Sequence, residues 1–236
     1  MTTKEQTTKI TVKLFQPMYA KFSKQLTAMP LLKDAFIEHM ILSELPNLEE
    51  DLAGKVNSEA AHRYIAGNLK RMGPKDKELE PVSIKVAMST ATKLRKATER
   101  HNLCRDAFIN FLLTCIRGED RFLKHLGFST RVGSIGRQAG VEDMPTSPLK
   151  AIEVSLADPL YYIRSECQER YSCGLYALDL PPQLHGFACY MPDHLVPGTP
   201  EHADYQAAFD IDLDLAGVVA PAAEPSGAKR AARGAK

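Results

Sequence analysis

No stretch of this chain approaches the roughly 20 consecutive apolar residues that a membrane-spanning helix needs; charge interrupts every apolar run within a few residues. The first residues, Met1 to Glu5, carry no apolar core of a secretory signal. A cytosolic location is therefore expected. Cysteine is sparse and odd in number, at positions 104, 115, 167, 173 and 189 without a C-x-x-C pair. That suits reduced thiols and argues against a disulfide framework. Phosphate-cradling glycine motifs are missing too, because Gly127 to Gly140 fits neither G-x-G-x-x-G nor a P-loop. No Ser-His-Asp, Cys-His or paired-carboxylate constellation emerges, so no catalytic residue is assigned and the chain reads as non-enzymatic. Cys167, Cys173, His185, Cys189 and His194 have none of the common zinc spacings; no metal site and no cofactor are assigned. Tyr161-Tyr162 on a short amphipathic helix reads as packing.

Net charge is nearly absent as well, at +1 over 236 residues, but the balance conceals an asymmetry. Residues 1–137 carry +8, residues 138–215 carry −10 and residues 216–236 carry +3. A basic half followed by an acidic one points to a polyanionic partner for the first and a different task for the second.

What is present is a repeat. Lys33-Asp34-Ala35-Phe36-Ile37 returns as Arg105-Asp106-Ala107-Phe108-Ile109, 72 positions later. At the same offset Ile10-Thr11-Val12-Lys13-Leu14 falls on Val82-Ser83-Ile84-Lys85-Val86, and Lys21, Lys24 and Leu31 fall on Lys93, Lys96 and Leu103. Each copy reads as a short strand, a helix, a tight turn and a second helix. Ile10, Val12 and Leu14 alternate with Lys9, Thr11 and Lys13, the pattern of a half-buried strand. Pro17 suits a helix's first turn, with Met18, Phe22 and Leu26 as its apolar stripe, and Pro30 ends it. The second helix, from about Lys33 to Leu45, is apolar on more than one face and predicts burial between partners. In the second copy Ser89 caps a helix running to about Arg100, Asn102 takes a left-handed turn, and Arg105 to Ile116 form the buried helix.

The resulting organisation is a mobile arm over 1–8, a repeat domain over 9–126, a Gly/Pro-rich linker over 127–148, a small acidic α+β module over 149–215 and a disordered basic tail over 216–236. Within the repeat domain, copy one spans 9–46 and copy two 82–118; the connector 47–81 carries a helix capped by Asn57 or Ser58 and ended at Gly73-Pro74. In the acidic module Ile152 to Leu156 reads as a strand, Leu160 to Tyr171 as a helix, and Gly174 to Leu180 and Gly186 to Met191 as further strands.

A strand without a pairing partner cannot stand alone, and two copies in one chain supply one another's. On Lys9 to Leu14 with Leu31 to Ile37, and on Val82 to Val86 with Asn102 to Ile109, the sequence resembles the ribbon-helix-helix family, which includes the methionine and Arc repressors. That resemblance implies a mainly α fold with a short two-stranded antiparallel ribbon, a tandem pseudo-dimer in one monomeric chain, and double-stranded DNA as partner. It implies base readout in the major groove by Lys9, Thr11, Lys13, Ser83 and Lys85, and phosphate contacts by Lys33 and Arg105 at the second helices' N-termini. The family's turn glycine and its Ser or Thr cap are replaced by Pro30 and Leu32 in copy one and by Asn102 and Cys104 in copy two. Leucine cannot cap. Because the copies differ, a non-palindromic site is expected. Transcriptional repression is the default role; accessory work in plasmid conjugation or partition, and antitoxin activity, are alternatives within the same fold. Residues 149–215 are expected to bind a protein partner, higher oligomers on DNA are a further option, and no membrane partner is expected. A reading of another class makes the repeats a helical core only, in a protein-interaction adaptor that binds no DNA.

Overall fold

The computed structural model describes residues 6–29, 31–71, 79–128 and 156–208. They are mostly helical, with one two-stranded antiparallel sheet. Strand β1 (Thr7–Phe15) runs directly into α1 (Gln16–Thr27), followed by α2 (Lys33–Asp51) and α3 (Glu59–Arg71). Strand β2 (Leu79–Ala87) runs directly into α4 (Met88–Arg100), then α5 (Arg105–Arg117) and α6 (Asp120–His125). Beyond lie α7 (Tyr161–Tyr171), the 3₁₀ turns Leu175–Ala177, Pro182–Phe187 and Asp193–Leu195, and a helix over 200–208.

The alternation does what its period dictates. Ile10, Val12 and Leu14 of β1, with Ile84 and Val86 of β2, are buried, while Lys9, Thr11, Lys13, Ser83 and Lys85 are exposed. Both strands are longer than expected: β1 takes in Thr7 and Thr8 from the arm, and β2 takes in Leu79 to Pro81 from the polar link. Pro17 occupies the first turn of α1. Helix α4 begins at Met88 straight from the extended Ala87, so Ser89 lies inside the helix and is not its cap. Ser58 does cap α3, its hydroxyl accepting from the Ala61 N–H at 3.0 Å. Asn102 has φ of 48°, the left-handed turn expected of it. Helix α2 overruns its expected end at Leu45 and continues through Pro46 to Asp51. Proline removes one ladder hydrogen bond there, and the Asn47 side-chain amide donates to the Ser43 carbonyl alongside.

Helix α2 packs on β2 and α5 packs on β1, so each copy's second helix covers the other copy's strand. Phe108, Ile109, Leu112, Ile37, Met40 and Ile41 form the fully buried centre.

Residues 156–208 correct the expectation of a separate α+β module. They are helical, 3₁₀ and irregular, without a strand; 174–180 and 186–191 hold 3₁₀ and irregular backbone, and most of the strand expected over 152–156 lies outside the described residues. This segment shares the core of the repeats. Tyr176 packs against Phe108 and Phe111 with ring centroids at 5.7 and 5.9 Å, and Phe187 meets Phe122 at 6.1 Å. Buried Asn57 ties three segments together, donating to Cys189 O and Asn102 O and accepting from the Met191 N–H. At Gly174 a Cβ would collide with the Asp51 carboxylate, which accepts the Tyr176 N–H at 2.9 Å. Residues 1–5 of the arm over 1–8, most of the linker over 127–148 and the tail over 216–236 also lie outside the described residues.

Candidate nucleic-acid interface

Register decides what the exposed strand face presents. Thr11 pairs with Ser83, its own counterpart at the 72-residue offset, and their hydroxyls lie 3.5 Å apart. A residue on a two-fold axis must meet its own equivalent, so the repeat relation of the sequence is also a pseudo-two-fold axis through the ribbon. Around it Lys9 stands opposite Lys85, and Lys13 opposite Pro81. Side chains directly opposite in an antiparallel pair share a face. The five residues expected to read bases are thus brought onto one solvent-facing surface.

Reciprocal hydrogen bonds hold this surface from behind. The Asp106 carboxylate accepts the Lys13 N–H at 3.1 Å, and its counterpart Asp34 accepts the Lys85 N–H at 3.2 Å. One turn on, Asn110 accepts the Phe15 N–H at 2.9 Å and donates to Lys13 O at 2.8 Å. Its counterpart Glu38 accepts the Ala87 N–H at 2.7 Å and the Thr90 hydroxyl at 2.7 Å. Outer strand edges, usually bare, are here satisfied by helix side chains. Sequence reasoning noticed Asp34 and Asp106 only as letters of the repeated pentapeptide and did not assign Glu38 and Asn110 at all. Their signal was the offset itself, which places a polar residue at 38 and again at 110.

The two residues expected at phosphates sit differently. The Arg105 guanidinium donates to Thr11 O at 2.5 Å and to the Asp106 carboxylate at 3.2 Å, with its side chain 42% exposed. It braces the ribbon and keeps an exposed side. Lys33 lies over the Tyr19 ring, 5.3 Å from its centroid. Neither Leu32 nor Cys104 supplies a side-chain cap, so the first turns of α2 and α5 present backbone N–H groups without a competing hydroxyl.

Comparison of the chain with family models, with curated proteins and with solved structures finds no match.

Away from the ribbon, Cys115, Cys167 and Cys189 are core residues, while Cys104 and Cys173 are half-buried. Burial pushes the Cys167 and Cys189 thiols up to about 12 and raises that of Cys115 well above its ordinary value, which leaves them protonated and unreactive. Among the described residues no three His, Cys, Asp or Glu side chains converge as a metal-ligand set, and no helix is long and apolar enough to cross a membrane.

Proposed function

We propose that this chain is a sequence-specific double-stranded DNA-binding protein, a tandem ribbon-helix-helix pseudo-dimer that inserts β1 and β2 into the major groove and acts as a transcriptional repressor without enzymatic activity. The observation that carries the reading is the face made by Lys9, Thr11, Lys13, Ser83 and Lys85, with Lys9 directly opposite Lys85. Like charges placed opposite on a sheet cost stability. A polyanion in contact with that face turns the cost into attraction. A two-stranded ribbon fits the width of the groove, lysine donates to guanine O6 and N7, and hydroxyls donate or accept. Lys33, Arg105 and the uncapped N-termini of α2 and α5 serve the flanking phosphates.

The ribbon is not symmetric in chemistry. Lys9 and Pro81 are counterparts, so the two ends of the face differ by a full charge, and the preferred site is non-palindromic. Accessory roles in plasmid conjugation or partition would use the same face, and an antitoxin would bind DNA through it while its C-terminal part binds the toxin.

The discriminating experiment is the salt dependence of binding by the full chain to a labelled duplex. With about five cationic contacts, affinity falls about a hundredfold or more between 50 and 200 mM salt, because each contact releases condensed counterions. Lys13→Ala and Lys85→Ala each reduce that slope. No binding at the lowest salt, from folded protein, overturns the reading in favour of an adaptor.

A further inference from the structure

A cavity of about 310 Å³ lies between the start of α1, the C-terminal end of α5, α6 and the Pro182–Phe187 turn, with Phe15 at the close of β1 on its wall. That volume is at the lower end of small-molecule sites. Its walls divide by chemistry. Phe15, Met18, Phe122 and Leu184 give an apolar side, and Lys21, Arg117, Arg121 and His125 give a basic one.

Arg117 is the informative residue. Its side chain is only 11% exposed, and its Nε–H is shielded from solvent with no acceptor among the described residues. Unpartnered buried donors are uncommon and ask for an explanation. The single acid on this wall, Glu119, already holds both Arg117 and Lys21, the latter at 3.5 Å. Burial alone would raise its carboxyl, yet those two cations together keep it below its ordinary value, so it is ionised and spent. Arg121 is left as excess positive charge, with the His125 imidazole beside it, 2.6 Å from Arg121 O. The repeat relation shows the arrangement to be peculiar to one copy. The positions 72 residues before Thr114 and Arg117 hold Leu42 and Leu45, and Leu45 is buried. A buried leucine in one copy has become a largely buried arginine beside a void in the other.

We infer that this cavity binds a small monocarboxylate with a hydrocarbon or aromatic body, its carboxylate facing Arg117 and its body against Phe15, Met18, Phe122 and Leu184. The site lies away from the exposed ribbon face, so the inference does not depend on DNA binding. Calorimetric titration of the full chain with octanoate, octanamide and inorganic phosphate tests it. Octanoate binds one to one, octanamide at least about tenfold more weakly, and phosphate more weakly still. Arg117→Gln lowers octanoate affinity about tenfold or more, and Leu184→Trp, which fills the apolar end, abolishes it. Equal binding of octanoate and octanamide overturns anion recognition. Phosphate binding as tight as octanoate overturns the role of the apolar wall. Absence of octanoate binding to folded protein up to about 10 mM overturns the site. Should Arg117→Gln fail to fold, the comparison of acid with amide and the Leu184→Trp variant decide the matter.

Discussion

Glu44 is fully buried, accepting the Tyr176 hydroxyl at 2.9 Å and an Arg164 guanidinium N–H at 2.5 Å, while Arg164 also reaches Asp158. Burial raises its carboxyl above the ordinary value, outweighing Arg164 and Tyr176, which pull it down. The native state therefore holds this proton to higher pH than the unfolded chain does. Stability from Glu44 is fully present below the unfolded pKa of 4.5 and is lost as pH rises through the raised folded value. Glu44→Gln fixes the side chain in a neutral form, so urea unfolding of this variant gains on the parent as pH rises from 4 toward 7. A difference constant with pH contradicts the assignment. Glu44→Ala, by contrast, leaves Arg164 and Tyr176 without their shared acceptor and costs about 3–5 kcal/mol. None of this was legible in the sequence. Glu44 reads there as one of several acidic residues on its helix, and Arg164 lies 120 positions away.

At the scale of elements, the strands are clamped by side chains of the opposite copy's second helix, unequally. Glu38 holds two donors, the Ala87 N–H and the buried Thr90 hydroxyl, whereas Asp34 holds the exposed Lys85 N–H. Glu38→Ala should cost about 2 kcal/mol and Asp34→Ala about 1 kcal/mol, since a lost charged acceptor matters most where its donor is shielded from water. Denaturant midpoints of the two variants check this, and the reverse order would contradict the clamp. The same clamps explain which elements could be foreseen. Strict alternation over Ile10 to Leu14 and the gapless offset made both strands and their pairing legible, because period and repeat are local properties. The strands expected over 174–180 and 186–191 did not form. Asp106 and Asn110 occupy the free edge of β1, and Asp34 and Glu38 that of β2, so no edge is open to a third strand at these positions. Leu175, Tyr176, Leu178 and Leu180 are buried instead against the helices, where period two carries no sheet meaning. The overrun of α2 past Pro46 likewise reflects tertiary burial of Leu48 prevailing over a local breaker.

Across the whole molecule, the sign change of charge near residue 137 suggests two independent parts, yet packing unites them. Without residues 156–208, Phe108, Phe111 and Phe122 lose the aromatic partners Tyr176 and Phe187. Truncation after residue 137 should therefore give a fragment that unfolds at markedly lower temperature than the full chain or aggregates; a fragment of equal thermal stability would restore the picture of a separate module. Charge composition is a property of surfaces and says little about which surfaces meet in a core.

Selection of bound duplexes from a random pool by the full chain, beside its Lys13→Ala/Lys85→Ala double variant, tests the central claim most directly. Major-groove readout by the ribbon predicts one defined, non-palindromic motif for the parent and a blurred motif for the variant, with Arg105→Ala weakening all sequences about equally. A motif that persists unchanged in the double variant, or no enrichment by folded protein at low salt, would contradict it.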